Sequence, residues 1–474
     1  MQPGNRPRIL FDISTSMRWV GPPVGIVRVE RQLALWAHAN LPQVEFVFFD
    51  PSLLAYREVS AHVDQFLSGE AALDTFGLTN PAAPGKRRTD RIPGGLRSAF
   101  LWIGQTRRMA LARLERLRLT TPHRSIADMA DRLQRRFMSR KYRDIMVRPD
   151  GTRRPFLPRE MALGAPIRFD RSDTLVCAGS GWGLTNIDAL AGAKAAAGFR
   201  LVLLCFDLIP LLFPQFYRDR DVALFERYMK KALALADPVI VTSDAVAADV
   251  RAYCQQHGIV AGSVVRTALG FDVGKAGARP AAPLPPGLRH GKFAMLVSTI
   301  EPRKGHRLLY RIWQRFIAEG VVQATGFKLV FVGRRGWLVD ELIAALRNDQ
   351  QLAGHILILD EADDDLLAAL YEGTAFCLYP SVYEGYGLPV VEAFSHGKAV
   401  LASTGGSLPE LVQDFCPCLD PTDEEAWYKT IRDWIEHPQM LAPYEREIRA
   451  RFRHPTWSEA AADFFGKIPA APMA

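Results

Sequence analysis

Short apolar runs alternate with helix-period segments along most of this chain, and the alternation occurs twice. In the first half the runs fall at 9–13, 44–49, 174–178, 200–206 and 238–242. Helical spacing separates them, as at Ile26, Val29, Leu33 and Trp36 and again over 221–236. In the second half the runs fall at 293–299, 327–332, 355–359, 375–379 and 399–402, with helical patterns at 307–319, 338–348, 364–372, 389–395 and 424–436. Near-continuous apolar strands, each followed by a helix, predict parallel sheets covered on both faces. Between the two halves, 275–290 carries four Pro and two Gly and can continue neither helix nor sheet. Two α/β domains of comparable size are therefore expected, at 1–274 and 291–450, joined by a linker at 275–290. Ligands of such open sheets bind outside the carboxyl ends of the strands, here in the cleft between the domains.

Hydrophobic residues make up 48% and charged residues 23% of the 474, a globular composition. The longest apolar run, 201–213, is broken by Asp207 and Pro210 and is too short to span a bilayer. Residues 1–8 are polar, unlike a secretory signal. Cys177, Cys205 and Cys377 lie in apolar runs and read as buried small hydrophobes. Cys416 and Cys418 form a lone Cys-Pro-Cys without a second ligand pair, so no metal site is expected. A reducing cytoplasm suits all six cysteines.

The charge is concentrated. Residues 86–154 hold 20 basic and 6 acidic side chains, so this stretch outweighs the whole-chain excess of +8 and leaves the remainder at −6. An evenly basic nucleic-acid binder would not look like this. The stretch belongs to a segment, 52–165, that interrupts the strand–helix rhythm with amphipathic helices expected near 105–119 and 125–145. In the second, Ile126, Met129, Leu133, Phe137 and Ile145 share an apolar stripe flanked by Arg132, Arg135, Arg136 and Arg140. Either this is a packing helix with a solvated basic face, or it docks on an anionic membrane surface.

The segment Tyr379-Pro380-Ser381-Val382-Tyr383-Glu384-Gly385-Tyr386-Gly387-Leu388-Pro389-Val390-Val391-Glu392-Ala393 runs from a strand end through a Gly loop into a helix. Pro389 suits the first helical position. The amides around Leu388 and Val390 are expected to face out of the helix N-terminus, where an anion is favoured. Gly385 and Gly387 allow the backbone close to a ligand, and Glu384 and Glu392 are expected to line one cavity.

The spacing Glu384-x7-Glu392 in this setting resembles the retaining glycosyltransferases of the GT-B fold, in particular glycosyltransferase family 4. Other segments extend the likeness: Ser298-Thr299-Ile300-Glu301-Pro302-Arg303-Lys304-Gly305, Val330 to Trp337, Val24-Gly25-Ile26-Val27-Arg28, Phe206-Asp207-Leu208-Ile209-Pro210, and Ala236 to Ser243. The match is dense over about 290–440 and sparse before it. By that resemblance the fold is two facing Rossmann-like domains, with 451–474 crossing back onto the first. Arg303 and Lys304 would bind the donor diphosphate, and Glu384 would lie beside the sugar ring. Glu392 would hold the ribose, while Gly387, Leu388 and Val390 would meet the phosphates. Gly25 would approach the diphosphate from across the cleft, Gly333 would border the base, and Asp207 would lie on the acceptor side. Many relatives carry His where Phe206 stands.

The resemblance implies transfer of a hexose, mannose as the first candidate and GDP-mannose as donor, to a growing saccharide or lipid-linked acceptor of surface polysaccharide. Anomeric configuration would be retained, with no essential metal and no cofactor beyond the nucleotide sugar. The place of action would be the cytoplasm, peripheral on the inner face of the membrane if the basic segment docks there. The alternatives are another GT-B enzyme, such as a nucleotide-sugar epimerase or a phosphorylase, and a non-catalytic nucleotide-binding scaffold on membranes. Simpler readings attach to neighbouring motifs. Arg334 and Arg335 read as surface, 179–183 (Gly-Ser-Gly-Trp-Gly) as a turn, and Asp363-Asp364-Asp365 as acids opening a helix. Trp457 reads as packing.

Overall fold

The computed structural model describes residues 7–19, 23–73, 110–111, 113–137, 156–272, 282–360 and 362–469. The first domain contains β1 (Ile9–Asp12), β2 (Val44–Asp50), β3 (Ala55–Val59), β4 (Ala72–Leu73), β5 (Phe156–Leu157), β6 (Leu163–Pro166), β7 (Thr174–Cys177), β8 (Arg200–Cys205), β9 (Val239–Val241) and β10 (Val264–Arg266). The second contains β11 (Phe293–Val297), β12 (Lys328–Val332), β13 (Ile356–Leu359), β14 (Phe376–Tyr379), β15 (Val400–Ser403) and β16 (Cys418–Leu419).

The second sheet runs β13-β12-β11-β14-β15-β16, parallel throughout. The order reverses between β11 and β14, so the loops leaving those two strands diverge and open a crevice. The first sheet runs β10-β9-β8-β7-β1-β2-β3-β6. Its parallel part reverses between β1 and β7, which makes a second crevice there. Each sheet is apolar because both faces are covered: β7, β9, β14 and β15 are buried along their whole length. In the second domain Trp313, Trp427 and Trp434 are wholly enclosed, each such side chain contributing on the order of 2–3 kcal/mol.

The segment 52–165 departs from expectation at both ends. β3 pairs antiparallel with β2, and β6 pairs antiparallel with β3, so the interrupting segment begins and ends inside the main sheet. Period-2 alternation in five residues such as Ala55–Val59 is too short to stand out from a polar, Pro-punctuated stretch. Within the segment, 113–120 is helical and a second helix spans Arg124–Phe137. The predicted continuation to 145 lies outside the described residues.

The tail returns to the first domain. Phe271 N–H donates to Pro455 O at 3.0 Å. Trp36 on the helix Gly25–Asn40 stacks on Phe465 of the helix Trp457–Gly466, with centroids 5.4 Å apart. Trp457 is buried in the same core.

Candidate active site

The loops that leave β11 and β14, on either side of the second domain's reversal, carry the charged residues singled out above. Glu301 to Gly305 follows β11 and contains a single 3-10 turn, Pro302–Lys304. Gly305 closes that turn at φ +78, and a Cβ there would lie 2.4 Å from Pro380 O. A bare Cα is thus required for the two loops to touch. The contact brings Arg303 and Lys304 against Glu384. Arg303 Nη1 donates to Glu384 Oε2 at 3.0 Å, Lys304 Nζ to Glu384 Oε1 at 2.5 Å, and Ser381 Oγ to the same Oε1 at 2.7 Å. Arg303 Nε lies 2.8 Å from Glu301 Oε1, and Arg303 Nη1 also donates to Tyr383 O at 2.7 Å.

The cluster is largely sealed: the side chains of Arg303, Lys304 and Glu384 are 14%, 14% and 13% exposed. Burial opposes ionisation of Glu384, but the charges of Arg303 and Lys304 outweigh it and hold the carboxyl down at about 2. Burial pushes Lys304 down, and the neighbouring Arg303 charge adds to the effect. Behind the cluster, burial and the Lys304 charge push His306 down to about 3, so its ring is neutral and adds no cation. His306 packs edge-on against Phe331, 4.8 Å away.

The helix Leu388–Ser395 starts one residue earlier than expected, with Gly387 as its cap at φ +107 and Pro389 in its first turn. Val390 N–H, expected to face a ligand, donates instead to Gly387 O at 2.9 Å. A proline in the turn leaves that carbonyl to the next amide, so Leu388 is the backbone donor that fits the expected role. Glu392 is buried on this helix. It accepts from Tyr371 Oη at 3.0 Å and from Arg28 Nη1, which reaches over from the first domain, at 3.0 Å. Burial raises its carboxyl and Arg28 opposes the rise. Gly333 sits at φ +144, where a Cβ would lie 2.1 Å from Ser298 O, so its role in the structure is to let the loops after β11 and β12 pass. Gly25 opens the helix that carries Arg28, with open space where a Cβ would be. The structure thus unites Arg303, Lys304 and Glu384 in one cluster. It holds Glu392 in a separate pair with Arg28.

The first domain meets this cluster directly. Gly385 O accepts from Thr242 Oγ1 and Ser243 Oγ, each at 3.0 Å, and a Cβ on Gly385 would lie 2.4 Å from Phe206 O. Asp207 follows β8, accepts from Ile209 N–H at 3.0 Å, and is raised by burial against the lowering charge of Arg303. Trp337 Nε1 donates to Phe216 O at 2.8 Å, joining the domains on the other side.

Arg334 and Arg335 are exposed. Asp363 caps the helix Asp364–Gly373 through Leu366 N–H at 2.8 Å. Among the described residues no group of three His, Cys, Asp or Glu could hold a metal ion.

One group escaped the sequence reading. Glu30 lies wholly buried beneath the first domain's crevice, accepting from Ser16 N–H at 2.6 Å and Ser16 Oγ at 2.5 Å. Burial, with the Asp12 charge adding, pushes its carboxyl up to about 8. Its signal was present: Ile26, Glu30, Leu33 and Ala37 fall on one helical stripe, which puts an acid on the core face. The 179–183 stretch, read as a turn, contains one helical turn at Gly181–Leu184, and its Trp182 borders a cavity.

Residues 291–437 match the family model described as glycosyl transferases group 1. Over 340 residues the chain is 27% identical to the serotype-specific mannosyltransferase WbdA of Escherichia coli, covering 66% of this chain and 39% of that protein. It is 29% identical over 231 residues to O-antigen chain mannosyltransferase B of Escherichia coli, covering 48% of this chain and 59% of that one. The chain thus spans less than two thirds of the length of each of these relatives. The crystal structure of Anabaena Alr3699/HepE in complex with UDP aligns over 97% of this chain and all of that one, with a TM-score of 0.52 at 16% identity.

Proposed function

We propose, for a chain whose C-terminal domain belongs to the group 1 glycosyltransferases and whose two domains adopt the GT-B fold, that it transfers a hexose from a nucleotide diphosphate sugar to a growing saccharide of a surface polysaccharide. Mannose is the sugar and GDP-mannose the donor. The named mannosyltransferase relatives support that choice. Configuration at the anomeric carbon is retained, and no metal takes part.

The observation that carries this reading is the convergence of Arg303 and Lys304 on Glu384 at the β11–β14 reversal. Breaking a sugar–phosphate bond loads negative charge onto the leaving diphosphate. Two fixed cations in a water-poor site stabilise that charge without having to reorganise. Glu384 keeps both cations aimed and stays ionised at any working pH. Leu388 N–H, at the positive end of its helix, adds a donor for phosphate. Across the cleft Arg28 draws the first domain onto Glu392, and Asp207 faces the acceptor.

Thermal stabilisation by UDP, GDP, ADP and dTDP tests the donor class. GDP is expected to stabilise the protein selectively, and Lys304→Ala to lose that stabilisation. Activity undiminished by a chelator is expected. Failure of all four nucleotides to stabilise the wild type would defeat the reading.

The helix Arg124–Phe137 supports docking on an anionic membrane surface. Its inner face is formed by Ala130 and Gln134. Met129, Leu133 and Phe137, one turn apart, are 47%, 39% and 54% exposed, beside exposed Arg132 and Arg136. No described helix is long and apolar enough to cross a membrane. Met129→Ser with Leu133→Ser is expected to reduce flotation with phosphatidylglycerol vesicles. Equal recovery would remove the membrane role.

A further inference from the structure

Tyr383 stands next to Glu384 in the chain and connects in two directions. Its carbonyl accepts from Arg303 Nη1 at 2.7 Å, and the same nitrogen donates to Glu384 Oε2 at 3.0 Å. Both hydrogens of that nitrogen therefore go to adjacent residues of one loop, which fixes the plane of the guanidinium. The loop also holds the Arg303 backbone, since Val382 N–H donates to Arg303 O at 2.7 Å. The side chain of Tyr383 leaves the other way. Its hydroxyl donates to Asp249 Oδ2 on the helix Asp244–Gln256 of the first domain, and its ring lies 5.3 Å from that of Phe213. Burial and the Asp249 charge raise the phenol, so the hydroxyl keeps its proton and Asp249 is the acceptor. One residue thus joins the first domain to the cation of the second.

We infer that Tyr383 and Asp249 are positioning residues for the transfer: Asp249 anchors Tyr383 from the first domain, and the Tyr383 carbonyl sets the plane in which Arg303 meets the leaving diphosphate. The inference rests on the glycosyl-transfer reading and adds to it two residues that act through Arg303. A guanidinium presents its N–H groups in a rigid fork, so its grip on phosphate oxygens depends on that plane. Charge on the diphosphate grows as the sugar bond breaks. A misaimed cation therefore loses more in the transition state than in the bound donor, and the loss falls on kcat. The Tyr383 hydroxyl is not needed to hold the domains together: Thr242 and Ser243, which precede the same helix, bond Gly385 O separately. Removing the hydroxyl releases the Tyr383 ring and leaves that seam in place.

Release of GDP from GDP-mannose, followed over a range of donor concentrations with methyl α-D-mannopyranoside present, tests this. Tyr383→Phe and Asp249→Ala are each expected to lower kcat about tenfold and to leave donor KM within about twofold. Asp249→Asn, whose amide oxygen still accepts the hydroxyl, is expected to recover most of the rate. In an Arg303→Ala background Tyr383→Phe should bring no further loss, because residues that act through one group are not additive. Thermal scans report the fold of each variant, and Tyr383→Phe, which keeps its ring, decides the matter if Asp249→Ala does not fold. An unchanged kcat in Tyr383→Phe would overturn the inference. So would a tenfold loss that persists without Arg303. A wild type that releases no GDP would instead defeat the transfer reading beneath it.

Discussion

The two walls of the cleft are built from opposite chemistry. On the second domain two cations and two carboxylates are locked together within hydrogen-bond distance. On the first, aromatic rings lie beside Asp207 and Asp221, and the buried Glu30 and Asp12 accept from Ser and Tyr hydroxyls. Both walls occupy the same topological position, the point where strand order reverses. The fold therefore supplies crevices in two equivalent positions, and the side chains that line them differ.

The largest break in that contrast comes from the charged wall. Arg303→Ala or Lys304→Ala is expected to lower kcat/KM by about 100- to 1,000-fold, with a cooperative melting transition retained; steady-state rates and thermal scans measure both. Next is the seam between the walls. Gly385→Ala forces a Cβ to 2.4 Å from Phe206 O, and overpacking there should cost about 1–3 kcal/mol of stability. Denaturant titration would detect it, and an unchanged midpoint would show that the domains yield at no cost. Arg28→Ala, which leaves Glu392 without its cation, should raise donor KM about tenfold, with partial recovery in Arg28→Lys. Kinetics at varied donor concentration would settle whether the pair assists binding.

The pH-dependent test belongs to the first wall. Glu30 is pushed up to about 8 in the folded protein from an ordinary value of 4.5. The folded chain therefore keeps a proton that the unfolded chain releases, and stability falls as pH rises between those values and levels off above about 8. Glu30→Gln should flatten this decline, so that the variant's melting temperature gains on the wild type from pH ~5 to pH ~8. Parallel curves would exclude Glu30 as the titrating group.

The second domain was the more legible in sequence. Its strands stand as apolar runs, and Arg303, Lys304 and Glu384 sit in short loops where a Gly or Pro marks each turn. Local spacing therefore carried the elements, while the roles expected of these residues came from the family resemblance. The first wall is assembled from distant positions: Trp182 follows β7, Phe225 and Tyr228 lie on the helix Asp219–Leu235, and Trp337 belongs to the other domain. No spacing rule joins these, since only packing brings them together. Val390 shows the limit at single-atom scale. The helix start was readable, yet which amide its first turn consumed depended on backbone geometry that sequence does not encode.

One further link between the domains involves a helix end. Glu410 of the second domain accepts from Asp244 N–H at 3.0 Å and Ala245 N–H at 2.8 Å, the leading amides of the helix Asp244–Gln256 in the first. A carboxylate lent by one body thus finishes a helix in the other. Parting the two bodies would strip that helix of its borrowed terminus, at a cost of about 0.5–2 kcal/mol, and expose both amides to solvent. Deuterium uptake at Asp244 and Ala245 would then serve as a clock for how often the two bodies part.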